Sequence, residues 1–189
     1  MKRAINLISV MLMAVAIVLG VWTTSHGDAS LEQLWAIEKV KKVQYAYAYN
    51  LDAGTVEGLM AIFAEDAVAQ YSFPAGTFTL KGKQKIKEFL GPYVGTGGAH
   101  LMADPYIVVD GNKASGAFYL MRIYAPKKNC PDKSEAGWIL GWYNCTFEKV
   151  KGEWKIKRMR FSAEATGSMP GCRFKGEWRF QFPPPFDLK

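Results

Sequence analysis

Histidine is scarce in this chain of 189 residues, which has only two, His26 and His100. Cysteine occurs three times, at Cys130, Cys145 and Cys172, in unlike contexts. Metal sites in proteins need several such ligands at short spacings, so the sequence predicts no metal site. Phosphate-binding loops, dinucleotide fingerprints and nucleophile elbows are also missing. We therefore expect chemistry that uses neither a metal nor an organic cofactor.

A strong excess of charge is missing as well. The formal net charge is +7 at pH 7. The lysines are spread along the chain rather than interleaved with aromatic residues, and no nucleic-acid-binding motif occurs. We therefore expect a solvated surface and no nucleic-acid partner.

The first 27 residues have the pattern of an export segment. Lys2 and Arg3 precede an almost unbroken apolar run over residues 4–22, which as a helix approaches the length that crosses a bilayer. Residues 25–27 loosely resemble a signal-peptide cleavage site, so a signal peptide and a membrane anchor both remain open. Either one places the rest of the chain in the periplasm or outside the cell. We expect one domain over residues 28–166 and a tail rich in proline and aromatic residues over 167–189.

Apolar side chains then recur at helical spacing. Ile37, Val40, Gln44, Tyr47 and Leu51 follow one another in steps of three and four residues. This spacing predicts an amphipathic helix in which Tyr47 faces inward. We expect the helix to close at residues 52–54, with the glycine at position 54 as a left-handed cap.

The remaining elements are predicted from periodicity and turn residues. Helices are expected over residues 56–63 and 83–90, and strands over residues 67–73, 76–80, 100–109, 113–124, 138–150 and 154–165. The last four strands form two hairpins. Helices followed by a long antiparallel sheet indicate an α+β fold in which the sheet curls over a helix.

Five short motifs arrive in the order seen in SnoaL-like proteins of the nuclear-transport-factor-2-like superfamily. They are Tyr47-Ala48-x-x-Leu51-Asp52-x-Gly54, Phe63-Ala64-Glu65-Asp66-Ala67-Val68, Lys81-Gly82-Lys83-x-x-Ile86-Lys87-x-Phe89-Leu90, His100-Leu101 and Gly152-Glu153-Trp154-Lys155-Ile156. The resemblance covers about residues 31–165. It implies a cone-shaped, curved antiparallel sheet packed on N-terminal helices, a cystatin-like α+β roll. Related folds often pair through their sheets, so it also implies a homodimer.

The spacing of Tyr47, Asp52 and His100 is most similar to the dehydratase branch of that family, which includes bile-acid 7α-dehydratase and scytalone dehydratase. Once the export segment is removed, His100 is the only side chain left that ordinarily titrates near neutral pH. We expect His100 to be the base, Asp52 to orient its ring, and Tyr47 to donate a hydrogen bond to a developing oxyanion. The hypothesis is an exported, cofactor-independent lyase (dehydratase) or isomerase acting on a hydrophobic hydroxy-carbonyl or polycyclic molecule.

Three further residues are candidates for substrate binding: Arg122, Phe118 and Trp142. Arg122 lies across a predicted hairpin turn from His100, and one of two registers puts both on the same face of the sheet. The bile-acid enzyme has an acidic residue where this chain has Arg122. The arginine is a candidate for binding a substrate carboxylate, although neutralising Asp52 and simple exposure remain open. Phe118 and Trp142 would supply apolar surface.

Each of these residues also has a purely structural explanation. Tyr47 fits a helix core, Asp52 a helix-end turn, and His100 a strand position bonded to the backbone. The alternative function is therefore a secreted or periplasmic module that binds a small apolar ligand or dimerises without catalysis. An open cavity lined by all three residues would favour the enzyme.

The cysteines predict one disulfide in an exported domain. The turn at residues 151–153 brings the regions before residue 138 and after residue 165 to the same end of the sheet. We expect Cys130 and Cys172 to pair there. Cys145 lies within a strand, where a small buried thiol is the ordinary outcome.

Overall fold

The fold is seen in a computed structural model that describes residues 30–95, 98–124 and 136–169. The predicted export segment, the Cys130–Cys172 pair and most of the predicted tail lie outside these residues. The chain divides into two compact units, residues 1–34 and residues 35–189. In the first of these units, the structure describes residues 30–34. None of the helices in the described part of the chain is long and apolar enough to span a membrane.

Three α-helices are present in the described residues: α1 (Leu31–Asp52), α2 (Val56–Ala61) and α3 (Lys83–Leu90). A short 3₁₀ turn, Gly91–Tyr93, follows α3. A capping box begins α1, because the Ser30 hydroxyl accepts from the Gln33 amide at 3.1 Å and the Gln33 side chain accepts from the Ser30 amide at 3.0 Å. At α2, the Thr55 hydroxyl accepts from the Gly58 amide at 3.0 Å.

Six strands of the described residues form one curved sheet. They are β1 (Phe63–Phe73), β2 (Gly76–Lys81), β3 (Ala99–Asp110), β4 (Lys113–Tyr124), β5 (Ala136–Val150) and β6 (Glu153–Met169). Their order across the sheet is β2-β1-β6-β5-β4-β3. The expected α+β class and both long hairpins are confirmed.

The sheet departs from the expectation in one respect, because it is mixed rather than wholly antiparallel. β1 pairs with β6 in parallel, while every other neighbouring pair is antiparallel. Hairpin turns predict only antiparallel neighbours, so local sequence carries no signal for this long-range pair.

One face of the sheet is buried against α1. Along β5, Tyr143, Cys145 and Phe147 are almost fully buried, whereas Leu140 and Trp142 are each 41% exposed. This alternation follows from the two-residue period of a strand. The inward stripe of α1 packs onto the buried face, as the contact between the Tyr47 and Phe63 rings shows. Each fully buried large apolar side chain contributes roughly 1.5–3 kcal/mol to stability.

Two local expectations are wrong. The second helix ends at Ala61, before the expected residue 63, because Phe63 begins β1 with its side chain in the core. Gly54 is not a left-handed cap, since its φ is not positive. A Cβ at this position would overlap the side chain of Asn50, so close packing is what requires glycine there.

Candidate active site

The end of α1 and the start of β3 bring Asp52 and His100 together. Asp52 is the last residue of α1, and His100 is the second residue of β3. The Asp52 Oδ1 lies 2.5 Å from His100 Nδ1, and Asp52 Oδ2 accepts from the His100 backbone amide at 2.7 Å. The side chains are only 9% and 8% exposed. One carboxylate therefore fixes both the ring and the backbone of the same residue.

This arrangement determines which ring nitrogen is available for proton transfer. A carboxylate accepts a proton donor, so the Nδ1 of a neutral His100 carries the hydrogen and Nε2 holds the free lone pair. After the ring takes up a proton at Nε2, the neighbouring carboxylate stabilises the resulting cation. The pair can thus act as a base whose orientation is set in advance.

Tyr47 lies inward on α1, as predicted, and is 1% exposed. Its hydroxyl is 3.3 Å from the hydroxyl of Tyr71 on β1. Its ring meets that of Tyr143 on β5 edge to face, with 5.5 Å between the centroids. Burial raises the pKa of Tyr47, and raises the pKa of Tyr71 and of Tyr143 well above the ordinary value. The three phenols therefore stay protonated at neutral pH and can donate hydrogen bonds.

A cavity of about 290 Å³ joins these groups. Among the described residues, its polar lining comprises Tyr47, Asp52, Tyr71, Tyr93, His100, Arg122 and Tyr143, and its apolar lining includes Phe73, Phe78, Phe89 and Phe161. Aromatic walls with a few convergent polar groups are typical of small-molecule sites. The three residues predicted as the catalytic group thus line one open cavity.

Arg122 enters the same cavity from β4. It is the direct cross-strand partner of His100, which is the register that places both side chains on one face. Its guanidinium carbon lies 5.5 Å from the centre of the Tyr124 ring. Its Nε is shielded from solvent and has no hydrogen-bond partner. No carboxylate among the described residues forms an ion pair with it.

The structure corrects the other two predicted substrate-binding residues. Trp142 lies on the opposite face of the sheet, where its ring stacks on Tyr119 and its Nε1 donates to Glu164 at 3.0 Å. Strand alternation is the reason, since its neighbour Tyr143 faces the cavity. Phe118 has the inward orientation but is 1% exposed and packs against Phe147 in the core, so it does not line the cavity.

Tyr71 and Tyr143 were missed by the sequence reasoning. The alternation of Ala67, Ala69 and Tyr71 in β1 would have placed Tyr71 on the buried face. The contact of Tyr71 with Tyr47 depends on the parallel pairing of β1 with β6, which the local pattern does not encode.

Cys145 is a free, buried thiol, as predicted. Its sulfur donates to the Gln44 side-chain oxygen at 3.4 Å, and burial raises its pKa well above the ordinary range. A thiol in this state is a weak nucleophile, so Cys145 is a packing residue. Within the described residues, no group of three or more histidine, cysteine or acidic side chains is arranged to hold a metal ion.

Comparison with known families gives a match to the model described as SnoaL-like domain over residues 32–160. No curated protein matches the chain. Among solved structures, a protein of Novosphingobium aromaticivorans provisionally assigned as a scytalone dehydratase is 25% identical, with a TM-score of 0.62. That similarity covers 76% of this chain and 97% of the other.

Two further structures share the fold at lower identity. The hexachlorocyclohexane dehydrochlorinase LinA-type3 of Novosphingobium barchaimii is 17% identical with a TM-score of 0.63, covering 79% of this chain and 100% of the other. A nuclear-transport-factor-2-like protein of Novosphingobium aromaticivorans, described as having a cystatin-like fold, is 18% identical with a TM-score of 0.55. That similarity covers 73% of this chain and 92% of the other. At these identities the likeness concerns the fold alone.

Proposed function

From the premise that this chain belongs to the SnoaL-like domain family, we propose that it is a cofactor-independent lyase or isomerase that removes a proton next to a carbonyl group of an apolar substrate. The family and the fold support acid-base chemistry of this class, and the similar structures include one assigned as a dehydratase.

The first step is proton abstraction. With Nδ1 bonded to Asp52, His100 takes the proton from the carbon next to the substrate carbonyl on Nε2. The electron pair of the broken C–H bond moves into an enolate. Tyr47, kept neutral by burial, donates a hydrogen bond to the enolate oxygen, where negative charge develops.

The second step decides between a lyase and an isomerase. In a β-hydroxy carbonyl compound, the enolate expels the hydroxyl group as the C–O bond breaks, and His100 returns its proton to the departing oxygen. The products are an unsaturated carbonyl compound and water. In a β,γ-unsaturated carbonyl compound without a leaving group, the electron pair spreads into a dienolate, the same proton returns to the γ carbon, and the product is the conjugated isomer. We propose dehydration as the main reaction.

The observation that carries this proposal is the Asp52–His100 pair in the wall of an aromatic cavity. Burying a carboxylate and an imidazole is costly unless they are paired, and here the two groups are buried and paired in the lining of a cavity. Water exclusion by the aromatic walls would strengthen the hydrogen bond from Tyr47 to the oxyanion. The export pattern of residues 1–27 places this reaction outside the cytoplasm in our proposal.

To test the proposal, the protein is incubated with a set of apolar β-hydroxy ketones, and the absorbance of the conjugated product is followed. With a substrate found, His100→Ala and Tyr47→Phe should each lower turnover at least about 100-fold, because each removes a group needed in the transition state. Tyr45→Phe is the matched control, since Tyr45 is on the same helix but 41% exposed, and its turnover should not change. Unchanged turnover in both site variants would refute the assigned residues, and no turnover of any compound in the set would favour a ligand-binding module.

A further inference from the structure

Arg122 is a charged group in the cavity that the proposed reaction does not use. Its Nε is fully shielded and has no hydrogen-bond partner. Leaving a shielded donor without a partner costs free energy, which a turn of the guanidinium onto a ligand in the cavity would recover.

The charges in the cavity show what that ligand would be. Among the described residues that line the cavity, Asp52 is the one carboxylate, and both of its oxygens are engaged by His100. Burial keeps the three phenols neutral. The guanidinium of Arg122 therefore has no carboxylate within ion-pair distance among the described residues. Its charge reaches Tyr47 and Tyr143, whose pKa values it lowers against the larger upward effect of burial.

From these observations we propose that Arg122 is the anion-binding residue of the cavity and that the ligand is an apolar, aromatic-sized molecule carrying a carboxylate. A guanidinium binds a carboxylate through two parallel, charge-assisted hydrogen bonds. The aromatic walls, with Phe73, Phe78 and Phe89, would hold the apolar body. Since Arg122 and His100 are cross-strand partners, the anchored carboxylate lies beside the base.

This inference rests on the proposed function for the identity of the cavity as the substrate site, but its test needs no turnover. The probes are 2-naphthoate and 2-naphthamide, which have similar shapes and differ in charge. Isothermal titration calorimetry on the full chain should show at least about 10-fold tighter binding of 2-naphthoate, the preference expected of a charge-assisted pair. Arg122→Met should remove the preference, and Arg122→Lys, which keeps the charge, should retain part of it.

Two controls separate this inference from the proposed reaction. Arg158→Gln removes the same charge from an exposed site outside the cavity and should leave the preference intact. His100→Gln should keep the preference although it abolishes turnover, so a failed reaction and a failed anion site are distinguishable. Equal affinities for the two probes in the wild-type chain, or no binding of 2-naphthoate at millimolar concentration, would overturn the inference.

Discussion

At the scale of single residues, the account depends on Asp52 using both carboxylate oxygens on His100. An asparagine side chain has one carbonyl oxygen, and its NH₂ group takes the place of the second carboxylate oxygen. It therefore cannot accept hydrogen bonds from both the His100 ring and the His100 backbone amide. We expect Asp52→Asn to lower turnover at least about 100-fold while the chain stays folded, because the ring loses its fixed tautomer. Steady-state kinetics give the first measurement.

The tautomer itself can be observed by ¹⁵N NMR, with the His100 signals assigned by comparison with His100→Gln. The wild-type chain should show the hydrogen on Nδ1. Asp52→Asn should shift the population towards the Nε2 form. A wild-type spectrum dominated by hydrogen on Nε2 would contradict the proposed role of Asp52.

The buried tyrosines make a pH prediction at the same scale. Burial raises the pKa of Tyr71 and Tyr143 well above the ordinary value of 10.0 in the folded chain. The unfolded state therefore loses these protons first as the pH rises, so the free energy of unfolding should fall above about pH 10. The stability is fully present below that pH. Urea unfolding at about pH 8 and about pH 11 measures the fall.

Tyr71→Phe removes one of these protons and should make the loss of stability between the two pH values smaller. Tyr45→Phe, at an exposed position, should leave it as in the wild-type chain. An equal loss in the wild-type chain and in Tyr71→Phe would show that the buried phenol does not contribute.

At the scale of elements, α2 is short and depends on its cap. It has six residues, and the Thr55 hydroxyl satisfies the Gly58 amide at its start. Thr55→Ala should lower the free energy of unfolding by about 0.5–2 kcal/mol, the usual cost of losing such a cap. Thr55→Ser keeps the hydroxyl and is the matched control. Chemical denaturation compares the three chains, and an unchanged midpoint for Thr55→Ala would contradict the role of the cap.

The helices and strands that were predicted most accurately from the sequence are those with a clear local periodicity. Residues 83–90 and 113–124 form the helix and strand expected there, and the glycine turns at Gly111 and Gly152 have the positive φ that tight hairpins require. The parallel pairing of β1 with β6 could not be predicted, because it joins residues about ninety positions apart through no turn. The position of Tyr71 beside Tyr47 depends on that pairing.

At the scale of the whole molecule, some features of the candidate site could be predicted from the sequence and others could not. The helical stripe predicted the inward Tyr47, and the hairpin limited Arg122 and His100 to two registers, of which the structure has the one that joins them. The prediction that Trp142 binds substrate was wrong, because the presence of an aromatic residue in a strand does not show which face of the sheet its side chain occupies. Only the assembled sheet showed that Asp52 meets both the ring and the amide of His100.

The pairing of Cys130 with Cys172 stays a prediction at this scale. Cys145 is buried and free, which leaves the other two cysteines to pair. The bridge should stabilise the fold by about 2–4 kcal/mol if it is unstrained. Peptide mapping without reductant should recover a peptide pair containing Cys130 and Cys172, whereas a link from Cys145 to either one would contradict the prediction.

The export of the chain is a separate prediction. The N-terminal sequence of the protein recovered from outside the cytoplasm should begin near Asp28 if the leader is a signal peptide, and at Met1 if it is an anchor. Recovery of the whole chain from the cytoplasm alone would contradict both forms of the expectation.

The central claim is that His100 takes a proton from a ligand bound in the cavity. Hydrogen exchange at the carbon next to the carbonyl group, followed by ¹H NMR in D₂O with an apolar ketone that has no leaving group, isolates this step from elimination. The wild-type chain should exchange that proton for deuterium, and His100→Gln should do so at least about 100-fold more slowly, with Tyr45→Phe as the unaffected control. Equal exchange rates in the wild-type chain and in His100→Gln would contradict the account.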